Sequence, residues 1–221
     1  MNHHRDKNPA SNGIHPRWMT GLLVVALLAL VSTLSGCLSR SPINKQTFAF
    51  NVPVPAASVG AAGNQVVGVR RLEIAPPFDG RALVYRTGEN AYERDSYAEF
   101  LGSPAGELAA SVGGLLLQDG CFSAVSSVGS ALKPDVLVEV YISELYGDIR
   151  QPGKPAAVLA MQVVFTEAKN EMPGKVILQR SYSRRIPIKS TTPAALMEGW
   201  NQGMIEIFAQ VASDFQNRRA Q

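Results

Sequence analysis

The chain has 221 residues, a formal net charge of +3, 46% hydrophobic residues and two cysteines. Its three histidines, His3, His4 and His15, all lie at the extreme N-terminus, so a chain shortened there carries no imidazole. That excludes a Ser-His-Asp or Cys-His nucleophile pair and a conventional zinc site, and the basic pairs Arg70-Arg71, Arg184-Arg185 and Arg218-Arg219 are too short to make a nucleic-acid footprint.

Arg5, Lys7 and Arg17 precede an uncharged apolar run from Trp18 to Leu34, the layout of a signal peptide. The densest part, Leu22 to Val31, is shorter than the roughly 20 residues that span a bilayer core. The run therefore targets the chain; the alternative is an uncleaved transmembrane helix with an incidental cysteine. Leu34-Ser35-Gly36-Cys37 matches the lipobox of bacterial lipoproteins: a leucine, two small residues, then the cysteine that is acylated. Residues 1–36 are then a lipoprotein signal peptide, and Cys37 receives diacylglycerol and an N-acyl chain. No other cofactor and no metal is expected. Each buried methylene contributes about 0.8 kcal/mol, so three acyl chains hold the protein on its membrane almost permanently. Loss of residues 1–36 lowers the formal charge from +3 to +1. Leu38, where inner-membrane lipoproteins tend to carry aspartate, points to the periplasmic face of the outer membrane.

Residues 37–64 read as a lipidated tether with a short strand at Thr47 to Phe50, since Asn51 to Asn64 is rich in Pro, Ala, Gly and Ser. Residues 65–221 read as one domain. A strand is expected from Gln65 to Ile74, then a hairpin of Ala82 to Arg86 and Ala91 to Arg94 about Gly88-Glu89-Asn90. Ser103 as N-cap, Pro104 behind it and Leu108, Val112, Leu115 and Leu116 at helical spacing predict a helix to Asp119, stopped by Gly120. Gly113-Gly114 inside it reads as a packing feature.

Strands follow at Phe122 to Val128 and Val136 to Tyr146, the second with clean alternation. A long hairpin has arms Ala157 to Thr166 and Lys175 to Ile186, with its turn marked by Asn170, Pro173 and Gly174; Gln179, Ser181, Ser183 and Arg185 form a wet face. Thr192 and Pro193 open a last amphipathic helix with Leu196, Trp200, Met204, Ile207, Phe208, Val211 and Phe215 on one stripe. Its other face carries Glu198, Glu206 and Asp214, which favours core packing over a membrane surface.

The order gives an α/β fold: a single mixed, largely antiparallel sheet with two main flanking helices, preceded by the signal peptide and tether. The central strands are apolar on both parities, so one sheet region is expected to be buried by a partner. Tyr85, Arg86, Tyr92, Arg94 and Tyr97 lie on or just after the first hairpin and form the candidate partner-binding face, because Tyr and Arg concentrate interface energy. A carboxylate-dependent envelope hydrolase would need a pair from Glu139, Glu144 and Asp148; strand parity puts Glu139 and Glu144 on opposite faces, which argues against it. Direct lipid carriage would use a groove lined by Ala157 to Phe165 and Val176 to Leu178. Cys121 reads as a buried small hydrophobe.

The segment Ile74-Ala75-Pro76-Pro77-Phe78-Asp79 with Leu83-Val84-Tyr85-Arg86 resembles the ABC-type transport auxiliary lipoprotein family, which includes the PqiC-like proteins. Asp95-Ser96-Tyr97-Ala98-Glu99-Phe100, Gly120-Cys121-Phe122-Ser123-Ala124-Val125, Ile142-Ser143-Glu144-Leu145-Tyr146 and Thr192-Pro193-Ala194 continue the likeness, from about Phe48 to Asn217. Two positions depart from it: Phe100-Leu101 replaces a common tryptophan, and Cys121 replaces an aliphatic residue. The resemblance implies a non-catalytic periplasmic component whose partners are an MCE-domain protein and an inner-membrane ABC transporter, permease and ATPase. It implies lipid or other hydrophobic cargo, membrane contact through the anchor, no nucleic acid, and leaves a homo-oligomer open.

Overall fold

A computed structural model describes residues 44–52, 63–118, 120–127, 129–170 and 172–219, together with Gly21. Asn44–Gln221 forms one compact unit with its own hydrophobic core. Its described residues form eight strands in one sheet: β1 (Gln46–Phe48), β2 (Val66–Ile74), β3 (Ala82–Arg86), β4 (Tyr92–Phe100), β5 (Ala124–Ser126), β6 (Val136–Asp148), β7 (Ala156–Lys169) and β8 (Met172–Pro187). Helix α1 (Pro104–Gln118) lies between β4 and β5, and α2 (Pro193–Arg219) closes the chain.

Strand β6 is the spine. Along one side it pairs antiparallel with β7, which pairs antiparallel with β8. Along the other side it carries two strands in series, both parallel to it. β2 runs beside Val136 to Ile142, and β3 meets Gly147 and Asp148. Between them the chain leaves the sheet in a tight turn, where the Phe78 and Asp79 N–H groups both donate to the Ala75 carbonyl. β5 extends the sheet beyond β2, and β4 then β1 extend it beyond β3. The sheet is mixed, with its longest ladders antiparallel.

Both helices are built as their caps dictate. The Glu107 N–H of α1 donates to the Ser103 carbonyl, and the Glu107 carboxylate reaches back to accept from Gly102 and from Phe50 at 3.0 Å. That satisfies donors at the helix entry and ties the segment after β1 to α1. Gly120, at φ 66°, provides the left-handed stop. In α2, Thr192 caps the first turn through its carbonyl and hydroxyl, ahead of Pro193.

The predicted stripe of α2 is buried from Leu196 to Phe215 against β7 and β8. Each such side chain removed from water contributes about 1.5–3 kcal/mol. Trp200 stacks on Phe100 and donates its indole N–H to the Val158 carbonyl at 3.1 Å. Phe215 of α2 packs against Phe122 and Phe165, which stack on each other. Two glycines let backbones approach: a Cβ on Gly199 would lie 2.6 Å from that of Ala157, and one on Gly113 would meet Val125 at 3.0 Å. The Gly113 contact gives the glycine pair in α1 a packing role against β5.

Several expected bounds shift. β4 runs to Phe100 despite its polar residues, because its second half pairs with β1 and Ala98 and Phe100 are buried. The strand expected from Phe122 shortens to Ala124–Ser126. Pro173 and Gly174 lie within β8, and the turn falls at Asn170, with φ 50°. Ala157, Leu159, Met161, Val163 and Phe165 are buried in the core cluster with the α2 stripe, so the β7 arm of the expected lipid groove is core, whereas Val176, Ile177 and Leu178 line an open hollow of about 530 Å³ with Arg180 and Asp214.

Candidate functional site

Leu34, Ser35, Gly36 and Cys37 lie outside the described residues, so the lipidation site stands on sequence. The five hairpin residues can be placed, and the structure divides them. Tyr85 is turned to the helix side, 9% exposed, with its ring against Gly147. This corrects its assignment to an exposed face: β3 alternation puts it opposite Arg86. Burial pushes its phenol pKa up, and the nearby Asp95 carboxylate adds to this.

Arg86 and Tyr92 pair across β3 and β4 on the opposite face. The guanidinium stacks on Tyr92 and Tyr146, 5.6 and 5.9 Å from the ring centroids, and donates to the Tyr146 hydroxyl and to the Gly88 and Glu89 carbonyls. Phe78 completes the group at 5.9 Å from Tyr92 and 5.7 Å from Tyr146. Burial raises the Tyr146 pKa against the opposing pull of Arg86. These contacts spend Arg86 internally: the cluster pins the β3–β4 hairpin and the Ala75–Asp79 turn onto the sheet. Arg94 donates to the Pro77 carbonyl at 3.3 Å. Tyr97 stands apart at 66% exposure, held by an Asp95 carboxylate that accepts from the Tyr97 and Ala98 N–H groups.

Asp148, at the end of β6, is 1% exposed and accepts from Arg150 Nε at 3.0 Å, Arg150 Nη2 at 2.7 Å and Arg185 Nη1. The Arg150 hydrogen bonds first, and then those of Arg185, hold this carboxyl well below the usual carboxylate range. It is a fixed anion that orients two arginines.

The carboxylate set expected for hydrolysis needs a correction. A bulge at Ser143 inserts one residue into β6 opposite an uninterrupted β7, and this reverses side-chain parity beyond it. Glu139 and Glu144 therefore share the face away from the helices. They oppose Val164 and Ala160, four residues apart on β7, a separation of about 13 Å. Glu139 is paired with Arg70 and Asp148 with two arginines, so the three do not assemble across a cleft. Among the described residues no group of three or more His, Cys, Asp or Glu side chains could hold a metal ion.

The ends of the sheet differ in chemistry. Where β6 ends and β7 begins lie Arg150, Lys154, Arg185 and Lys189. At the opposite end, the β7–β8 tip exposes Met172 (62%) and Val176 (51%) beside Lys169 and Lys175, and the loop before β6 exposes Leu132 (42%) beside Lys133 on the β2–β5 side. Sequence reasoning missed the exposed Met172 and Val176, because single exposed hydrophobes carry no pattern until the hairpin tip brings them to one end. The middle of the uncovered face carries Tyr141, Ser143, Gln162, Ser181 and Ser183 in the open.

A model of the family described as ABC-type transport auxiliary lipoprotein component matches residues 48–212. No curated protein matches. Among solved structures, a Xanthomonas campestris protein of family DUF330 aligns with a TM-score of 0.62 at 17% identity, over 76% of this chain and 92% of its own. A second, described as an uncharacterized protein, aligns with a TM-score of 0.62 at 15% identity, over 77% of this chain and 98% of its own. These likenesses show the fold.

Proposed function

Since the chain belongs to the family of ABC-type transport auxiliary lipoprotein components, we propose that it is a non-catalytic, lipid-anchored periplasmic part of an ABC transport system. In this reading Cys37 carries diacylglycerol and an N-acyl chain on the outer membrane. The domain holds an MCE-type partner, and through it the permease and ATPase, so that lipid or another hydrophobic cargo can cross the envelope. The observation that carries the reading is the family match itself, which runs from the end of β1 into the last turns of α2 and so takes in strands β2 to β8 whole.

The partner surface in this reading is the β7–β8 tip with Met172 and Val176, where burying exposed hydrophobes is favourable. Arg94, Tyr92 and Tyr97 remain available near the hairpin, whereas Tyr85 and Arg86 are spent inside the domain. The test is cross-linking in native envelopes followed by mass spectrometry. Permease, ATPase and MCE-domain subunits are expected on the wild type and lost from a Met172→Glu/Val176→Glu variant that still folds. Recovery of none of these subunits, or undiminished recovery with the variant, overturns the partner surface or the system. Mass spectrometry of the mature N-terminus tests the anchor separately: it must begin at an acylated Cys37.

A further inference from the structure

At the end of the sheet where β6 and β8 stop and β7 starts, two arginines share one carboxylate and two lysines follow at the ends of the neighbouring strands. Asp148 lies opposite Ala156 in the β6–β7 ladder, and Pro187 lies opposite Ala156 in the β7–β8 ladder. The Ile188 N–H donates to the Pro155 carbonyl at 3.1 Å, which carries pairing one step beyond the strands and leaves Lys154 and Lys189 at the open end of the ladder. Arg150 and Arg185 share the Asp148 carboxylate. Lys154 and Lys189 are exposed, and neither ammonium pairs with a carboxylate among the described residues. Glu198 of α2 lines the pocket next to Lys189 without bonding to it. One carboxylate does not balance two arginines with two lysines at the same end, and an anion from outside would lower the repulsion that remains. Pro155, Ala156, Pro187 and Ile188 floor a shallow hollow of about 330 Å³ between Lys154 and Arg185, and Lys189 follows Ile188 at its edge.

The direction of the chain says which anion this end meets. Tyr92 opens β4 opposite Arg86, and Arg86 lies opposite Asp148, so β4 starts at the basic end and runs away from it. β1 is parallel to β4 with Gln46 opposite Ala98, so Asn44 stands at the end of β1 nearer the basic side. Seven residues lead from Cys37 to Asn44, at most about 25 Å of extended chain. Tyr92, half exposed at the same end, is a residue type that settles at membrane interfaces. We propose that this end is the membrane-facing surface of the domain, with Lys154 and Lys189, beside the spare donors of Arg150 and Arg185, taking the phosphates of anionic phospholipids. The setting rests on acylation of Cys37; the headgroup affinity belongs to the folded domain and is measurable without it. The anchor then fixes distance, and the basic end fixes orientation.

The test is flotation of the domain Asn44–Gln221, which carries its own core, with vesicles of phosphatidylethanolamine and phosphatidylglycerol and, in parallel, of phosphatidylcholine alone. Binding is expected only to the anionic vesicles, and each lysine neutralised should weaken it about five-fold. Lys154→Gln/Lys189→Gln therefore loses most of it, Lys154→Arg/Lys189→Arg restores it, and Lys175→Gln at the far end of β8 leaves it unchanged. Both lysine variants leave the Asp148 clamp intact, so their folding is not at stake. Equal binding to both vesicles, or an equal loss with Lys175→Gln, overturns the proposal. So does binding of inorganic phosphate or of a polyglutamate peptide without vesicle binding, which would assign the cluster to a soluble anion or an acidic protein. Failure here would leave acylation of Cys37 standing, because that is read from the mature N-terminus.

Discussion

Replacing Asp148 by asparagine keeps the shape of the side chain and removes the charge that two arginines share. The carboxylate accepts from the Arg150 backbone N–H at 3.1 Å, from Nε and Nη2 of the same residue and from Arg185 Nη1. Removing one partner of a fully buried pair costs about 3–5 kcal/mol. Here the Arg150 and Arg185 side chains are 35% and 46% exposed and can turn to water, which lowers the expected loss to about 2–3 kcal/mol. For a unit of this size that is a fall in Tm of about 4–10 °C. The pH dependence has a definite sign. The folded carboxyl sits below its unfolded value, so its contribution is present in full above the unfolded pKa, about 3.9, and is lost as pH falls through the folded one. Thermal unfolding followed by circular dichroism should show the gap between wild type and Asp148→Asn constant near neutrality and closing in acid. Equal Tm values at neutral pH, or a gap that persists unchanged into strong acid, would refute the clamp as a source of stability.

Gly199→Ala should destabilise the domain by about 1–3 kcal/mol, because its Cβ would stand 2.6 Å from Ala157 Cβ and 2.8 Å from Ile188 Cγ2; Gly203→Ala, whose nearest neighbours stand 3.6 Å off, should be neutral or stabilising in the same urea titration. The Cys121 thiol, 3% exposed and donating to the Ala212 carbonyl at 3.4 Å, should resist a thiol reagent until the protein unfolds. Rapid labelling of the native domain would contradict that packing.

The α2 stripe was legible because seven apolar residues at helical spacing can be satisfied in only one way, and all of them are buried. β6 was legible as far as Ile142 for the same kind of reason. Its bulge was not: one unpaired serine leaves no mark in the alternation, yet it decides which face Glu144, Tyr146 and Asp148 occupy. Tyr85 was misplaced because a tyrosine beside an arginine in a short strand reads as an interface, and only Gly147 on the neighbouring strand shows the space that receives its ring. β7 looked like the wall of a groove because a core strand and a lipid-lining strand share one composition. Lys154 and Lys189 are far apart in sequence, and their proximity exists only through the β7–β8 ladder.

Because β2 and β3 run in series along β6 and pair with it alone or with strands beyond them, their place in the sheet depends on a segment translated later. A nascent chain that has released Val66 to Arg86 but not yet Val136 to Asp148 holds Val67, Ile74, Leu83 and Val84 with nowhere to bury them. Local closure can finish the β3–β4 hairpin and α1, but the sheet must wait for its spine. The interval between those two segments is when this protein is most open to chaperone capture or to proteolysis.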